Sequence, residues 1–186
     1  MTESEKVVKI SDTWASHGAL GLAGLALASF MLAFSNLGLV EGSLVLVSMS
    51  IFVGGFIQVF AGLLAFKKGS TFDMVAFTMF GMFWISFAYI LLAPSALTTN
   101  STGVGLYLFA WALLSGTMLL GLLKLKARVL SLLFIVLTIV FIVSGLTNFI
   151  AGLGFIAGIL VLILALVSFY AAMAIVLNET GYKLPL

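Results

Sequence analysis

Long apolar stretches alternate with short polar ones along the whole chain. Charged residues leave four stretches without Asp, Glu, Lys or Arg, at residues 13–40, 42–66, 74–123 and 129–178. An α-helix needs about 20 residues to cross the hydrocarbon core of a bilayer. The first two stretches each fit one such helix, and the last two are each long enough for two helices with a turn between them.

Turn residues locate the breaks inside the two longest stretches. In "LAPSALTTNSTGVG", Pro94, Asn100 and Gly103 indicate the end of a helix followed by a polar loop. A weaker break lies in "TNFIAGLG", between Asn148 and Gly154. The pattern therefore predicts six helices, at about residues 18–40, 43–66, 72–93, 103–123, 129–149 and 154–177. Residues 1–17 and 178–186 are predicted to be short polar tails on either side of the six-helix domain.

The composition indicates that these six predicted helices span a membrane. Apolar residues make up 63% of the 186 residues and charged residues only 8%, whereas soluble domains are about one quarter charged. We therefore predict an all-α integral membrane protein with six transmembrane helices in a lipid bilayer. The chain has no cysteine and one histidine, so we expect no metal site and no cofactor. No charged residue lies near the middle of a predicted span, and no catalytic motif is present, so we expect no enzyme and no catalytic residue.

The positions of the charges predict the orientation. With six spans, both tails and the loops between helices 2 and 3 and between helices 4 and 5 lie on one side, together with all eight Lys and Arg residues. The opposite side has only Glu41. Because basic loops stay in the cytoplasm, we expect a multi-pass protein of the cell (inner) membrane with both termini cytoplasmic.

A few polar residues stand out near or within the predicted spans. Gln58 must bond another helix or face a wet cavity, because an unpaired amide in hydrocarbon costs a few kcal/mol; the sequence leaves both roles open. Ser70 or Thr71 can cap helix 3, with Asp73 in its first turn. His17 stands at the start of helix 1, where it can cap the helix or lie at an interface.

The stretch "GGFIQVFAGLLAFKKGSTFDMVAFTMFGMFWISFAY" closely resembles the central signature of the acetate uptake transporter family. "LKARVL" at residues 125–130 and "LNETGYKLPL" at residues 177–186 are also similar to that family. The family's helix-1 motif, N-P-A-P-L-G-L, falls on "SHGALGL" at residues 16–22. Leu20, Gly21 and Leu22 match it, whereas the asparagine and both prolines are absent.

The resemblance implies a narrow pore within each protomer and a homo-oligomer, a hexameric ring in this family. By alignment, the pore constriction falls on Leu25, Phe80 and Leu137. The family also suggests a substrate path near three polar residues, Gln58, Asn36 and Thr78. The cytoplasmic mouth falls on residues of the helix-1 motif, namely Ser16, His17, Leu20 and Gly21.

The implied function is a transporter or channel for acetate and similar small monocarboxylates. Since no titratable group lies at the middle of a span, a coupled proton would travel on the acid itself. The altered helix-1 motif keeps other small solutes open, namely succinate, formate, ammonia and urea. A non-transporting membrane scaffold is the remaining alternative, and no nucleic-acid partner is expected.

The segregation of basic residues gives a test of topology. Reporters fused to either end of the chain should both report a cytoplasmic location, because six spans return the chain to its starting side. A reporter that is active only outside the cytoplasm serves as the control. An external signal from one end would require an odd number of spans and would contradict the six-helix prediction.

Overall fold

The computed structural model describes residues 15–40, 44–92 and 100–186, and these residues form helices with no strand among them. Six helices are long and apolar enough to cross a membrane, which confirms the predicted fold class. They are α1 (His17–Asn36), α2 (Leu44–Lys67), α3 (Thr71–Leu92), α4 (Ser101–Leu125), α5 (Arg128–Leu146) and α6 (Gly154–Glu179). Each overlaps one predicted helix.

Local chemistry explains where several helices begin and end. The Ser16 hydroxyl accepts a hydrogen bond from the Ala19 amide and caps α1. The Ser70 hydroxyl accepts one from the Asp73 amide at the start of α3, so the cap predicted for this helix is confirmed. α1 ends at Asn36, four residues before the predicted end, and Gly38 follows in the left-handed region with φ of 75°. A left-handed glycine is a common helix stop.

Consecutive helices run in opposite directions, as the contacts between α2 and α3 show. Gly62, late in α2, lies against Thr78, early in α3, whereas Gly54 lies against Trp84 further along. The contacts between α4 and α5 show the same antiparallel arrangement. The first and last helices, α1 and α6, also pack antiparallel along most of their length. One end of the bundle, here called the basic end, therefore gathers the basic residues that connect or follow helices: Lys67, Lys68, Lys124, Lys126, Arg128 and Lys183. Lys6, Lys9 and Glu41 lie outside the described residues.

Glycines let the helix backbones touch directly. A methyl group added at Gly24 of α1 would lie 2.7 Å from the Val53 carbonyl oxygen of α2. One added at Gly81 of α3 would lie 2.8 Å from both the Gly55 carbonyl oxygen and the Val59 nitrogen. Small residues drive helix association in lipid because close approach maximises van der Waals contact. These contacts fix α2 between α1 and α3.

The middle of α2 has π-helical geometry over Met49–Ile57. Gly54 and Gly55 lie in this segment, and their lack of a side chain makes room for Trp84 and Ile85 of α3. A methyl group at Gly54 would lie 2.6 Å from Cγ of Trp84 and 2.8 Å from Cβ of Ala28. The wider π turn therefore coincides with the place where α2 accepts the largest buried side chain of the described residues, Trp84.

The outside of the bundle carries many large apolar side chains. On α2 they form a stripe that consists of Phe52, Phe56, Phe60, Leu63 and Phe66, each more than half exposed. Exposing such a surface to water is unfavourable, whereas lipid or another apolar protein surface would cover it. Together with the six apolar helices, this exterior identifies a multi-pass membrane protein.

The contact at Gly81 predicts a sharp effect of one methyl group. We expect Gly81→Ala to lower the free energy of unfolding by about 1–3 kcal/mol, because the added group overlaps backbone atoms that cannot move aside. Melting of the detergent-solubilised protein measures the loss. Gly116→Ala is the matched control, since its nearest neighbour is the Thr138 methyl at 3.5 Å and alanine favours helix. Equal melting of both variants would contradict the close contact.

Candidate functional site

A cavity of about 250 Å³ lies between α1, α3, α4, α5 and α6. Its lining is mostly apolar, with polar side chains from five residues other than tryptophan: Ser29, Asn36, Ser144, Thr147 and Asn148. None of the described residues in the lining is charged. A mostly apolar pocket with a few polar groups is typical of a site for a small organic solute.

The cavity occupies the half of the bundle away from the basic end. On α1 its lining extends from Leu25 to Asn36, at the end of the helix. On α6, which runs the other way, it extends from Gly154, the first residue, inward to Leu164. On α5, which begins at the basic end, the lining starts at Leu137, near the middle of the helix, and continues towards its last residues. The cavity therefore extends from the end opposite the lysines to near the middle of the bundle, where its lining ends; it is called the outer cavity below.

The three residues of the expected constriction stand at the closed end of the outer cavity. Leu25, Phe80 and Leu137 are the innermost lining residues of α1, α3 and α5, and each is at most 5% exposed. Leu164 of α6 completes this ring, here called the apolar ring, and is 2% exposed. Sequence reasoning missed Leu164, because one leucine among many in an apolar helix carries no distinguishing signal.

Aromatic side chains hold Phe80 in place. Its ring stacks on Phe141 of α5 at 6.0 Å between centroids and meets Phe134 edge-on at the same distance. Trp111 of α4 lies 6.1 Å away on another side. Such pairs contribute beyond simple burial. The apolar ring is therefore a packed part of the core, and its residues also belong to the main buried cluster.

The three polar residues of the expected substrate path lie in different places. Asn36 lines the outer cavity. Gln58 does not: its amide nitrogen donates to the Gly21 carbonyl oxygen at 3.3 Å, across the contact of α2 with α1. Thr78 donates to Met74 of its own helix and faces Gly62 of α2.

Gln58 and Thr78 therefore do not line the outer cavity, and their place beside a substrate path stays a prediction. Both side chains lie where glycines bring α2 close to its neighbours, and backbone carbonyls there accept their hydrogen bonds. For Gln58 this is the interhelical role that the sequence left open. Its Oε1 is buried and has no hydrogen-bond partner among the described residues.

The residues of the expected cytoplasmic mouth gather at the basic end. Ser16 caps α1, and Leu20 packs against the core. His17 Nε2 lies 2.9 Å from Oδ2 of Asp73 on α3, and Ser70 donates to the same carboxylate oxygen at 2.8 Å. Gly21 lies directly against the Phe77 ring. His17 therefore occupies an interface, while Ser16 provides the cap.

The contact between His17 and Asp73 predicts coupling between α1 and α3. Replacing His17 with Ala and Asp73 with Asn, singly and together, should reveal a coupling of about 0.5–1 kcal/mol in stability, the usual value for a partly exposed pair. Thermal melting at constant pH measures the cycle. Strictly additive losses would mean that the two side chains do not stabilise each other.

The chain is similar in sequence to known membrane transport proteins. The model of the GPR1/FUN34/yaaH family matches residues 4–184. The succinate-acetate/proton symporter SatP of Escherichia coli (strain K12) is 38% identical over 170 residues, which cover 89% of this chain and 90% of SatP. Ammonia transport outward protein 3 of Saccharomyces cerevisiae is 36% identical over 115 residues, which cover 56% of this chain and 42% of that protein.

The three-dimensional structure is also similar to a solved one. The structure of the bacterial acetate channel SatP superposes with a TM-score of 0.86 at 37% sequence identity, covering 90% of this chain and 95% of that chain. The family match spans nearly the whole chain, including all six helices. On sequence and fold together, the chain belongs to the GPR1/FUN34/yaaH family.

Proposed function

We propose that this protein transports acetate and similar small monocarboxylates across the cell membrane. The observation that carries the proposal is an uncharged outer cavity closed by an apolar ring, in a chain 38% identical to a succinate-acetate/proton symporter. The relatives named here are transporters or channels, so we infer no enzymatic activity.

The physical chemistry of the apolar ring favours a small solute of low charge. A bare carboxylate loses strongly favourable hydration in an apolar constriction, whereas the neutral acid loses much less. Because the described lining contains no charged or histidine side chain, the proton travels on the solute in this proposal. A ring of four large side chains also favours short acids over longer ones.

We further propose that the path continues from the apolar ring to the basic end, between α1 and α3. It leaves the protein beside the start of α1, where Ser16, His17, Leu20 and Gly21 lie. Gln58 and Thr78 would then stand beside the inner half of the path. The basic end faces the cytoplasm in this proposal, since basic loops remain inside. The apolar stripe on α2 supports a homo-oligomer, a hexamer by family resemblance.

Uptake of labelled acetate into proteoliposomes tests the function. An imposed pH gradient should drive accumulation, and an unrelated labelled sugar serves as the control. Acetate uptake no faster than in empty liposomes would reject the proposal and favour a scaffold role. Methylammonium uptake tests the second candidate, ammonia, which is suggested by the printed name of the yeast relative.

The apolar ring predicts a change in selectivity. Phe80→Ala removes the largest of its four side chains and should widen the passage, so the flux of succinate should rise relative to that of acetate. Both fluxes are measured in the same liposomes and normalised to folded protein. Some loss of stability is expected as well, because a buried phenylalanine is removed.

Phe109→Ala is the matched control for this change. Phe109 is a packed phenylalanine of α4 that stacks on Phe149 outside the lining of the outer cavity. Its loss should lower stability and leave the ratio of succinate to acetate flux unchanged. The same ratio in the Phe80 variant, the Phe109 variant and the parent would remove Phe80 from the path.

A further inference from the structure

We propose that Tyr107 sets the width of the passage at the apolar ring, because its hydroxyl is a clasp that holds α4 against α3. This inference rests on the proposed transport of small carboxylic acids and names a residue that determines which acids pass. Tyr107 is a positioning residue in this role, since it acts through Phe80 and does not line the outer cavity.

The six helices pack side by side in one row with two ends. α3 packs on α2, α2 on α1, α1 on α6, α6 on α5 and α5 on α4, each pair with closely approaching backbones. α3 and α4 are the ends of this row, and within the described residues their backbones stay further apart. Side chains fill the space between them. The Phe83 ring stacks on Tyr107 at 6.0 Å between centroids and meets Trp111 edge-on at 5.4 Å. The boundary of α3 and α4 formed by Phe83, Tyr107 and Trp111 is called the seam below.

A small cluster of hydrogen bonds links the two helices at the seam. The Tyr107 hydroxyl lies 2.7 Å from Oγ of Ser86 on α3 and 3.2 Å from the Phe83 carbonyl oxygen. That carbonyl also accepts from Ser86 at 3.0 Å. Whichever hydroxyl donates to the other, at least one hydrogen bond joins α4 to α3. Both side chains are half-buried, and lipid tails offer no partner to replace a lost bond. The cluster therefore resists separation of the two helices.

The seam is in direct contact with the apolar ring. Phe80 precedes Phe83 by three residues on α3, so the two rings are neighbours on one face of the helix. Trp111 of α4 touches both, at 6.1 Å from Phe80 and 5.4 Å from Phe83. Phe141 of α5 also packs against both, at 6.0 and 4.9 Å. Because α4 and α5 pack together, a shift of α3 away from α4 would also carry Phe80 away from Leu137 and widen the passage.

Such a shift is easier at the seam than at the neighbouring helix contacts. Between α2 and α3, Gly81 lies directly against the Gly55 carbonyl. Between α4 and α5, a methyl group added at Gly105 would lie 3.3 Å from the Gly145 carbonyl oxygen. Backbone packing of this kind fixes the spacing of helices, whereas helices that meet through side chains can slide by small amounts. The Tyr107 hydroxyl adds a directional bond where backbone packing is absent. With the clasp in place, the passage admits short acids and hinders longer ones.

The ratio of succinate to acetate flux tests the clasp. Tyr107→Phe keeps the ring and removes only the hydroxyl, so the ratio should rise about threefold, the population shift that follows from losing an average interhelical hydrogen bond in a bilayer. Ser86→Ala should raise the ratio less, because Tyr107 can still donate to the Phe83 carbonyl. Both fluxes are measured in the same liposomes and normalised to folded protein.

Tyr170→Phe is the matched control. It removes a hydroxyl that donates to the Pro185 carbonyl oxygen at 2.9 Å, on α6 and away from the seam, so the flux ratio should stay that of the parent. In a Phe80→Ala background, Tyr107→Phe should change the ratio little, because the passage is already wide. An equal rise in both backgrounds would mean that the Tyr107 hydroxyl does not act through Phe80, and it would overturn the inference.

Spin labels measure the seam without any solute. The chain has no cysteine, so cysteines introduced at Leu92 of α3 and Leu106 of α4, both exposed, are the sole sites for labels. Tyr107→Phe should broaden the distribution of distances between these labels. Labels at Leu106 and at the exposed Ile142 report on α4 and α5, and their distribution should stay that of the parent. Dilution with unlabelled protein removes distances between copies.

The outcomes separate the clasp from the function. If the parent takes up acetate and Tyr107→Phe keeps either the parent's flux ratio or its distances across the seam, the clasp is wrong and the transport function stands. If Tyr170→Phe raises the ratio as much as Tyr107→Phe, the effect is a general loosening and the inference is overturned. A parent that does not transport acetate rejects the proposed function. The distances across the seam then decide on the clasp alone, and an unchanged distribution overturns it.

Discussion

Direct contact between helix backbones is the constraint on which the rest of this structure depends. In a bilayer, an apolar side chain gains little free energy by moving from lipid into a helix interface. Helices therefore associate mainly through close packing. Here Gly24 approaches the Val53 carbonyl, Gly62 approaches the Thr78 amide, and Gly81 approaches the Gly55 carbonyl. These three contacts hold α1, α2 and α3 at spacings that larger residues would not allow.

The same close contacts position the side chains that border the outer cavity. Gly54 makes room for the Trp84 ring within the π-helical part of α2. Across the bundle, α3 meets α4 and α5 through aromatic rings, including Phe80, Phe83 and Phe141. α2 therefore lies tightly against α1 and α3 on one side, whereas rings keep α3 further from α4 and α5 on the other. The outer cavity lies on the side where rings set the spacing.

Much of the fold could be predicted from the sequence, because the length of a membrane span and the placement of basic residues are strong, local signals. Leu25, Phe80 and Leu137 could be selected only by resemblance to a family, and they do lie together at the closed end of the outer cavity. Leu164, which lies at the same end, could not be selected, since leucine is common in such helices. The placement of Gln58 depended on which glycine its helix would meet, and a single sequence does not specify that pairing.

The uncharged lining of the outer cavity has a consequence for the effect of membrane voltage. A side chain that carries charge through the field would make the protein itself respond to potential, at about 2.3 kcal/mol per elementary charge for each 100 mV. No described lining residue carries such a charge, so the field acts on whatever crosses. An acid that passes without charge moves independently of voltage, whereas its anion is opposed by an inside-negative potential on the way in and favoured on the way out.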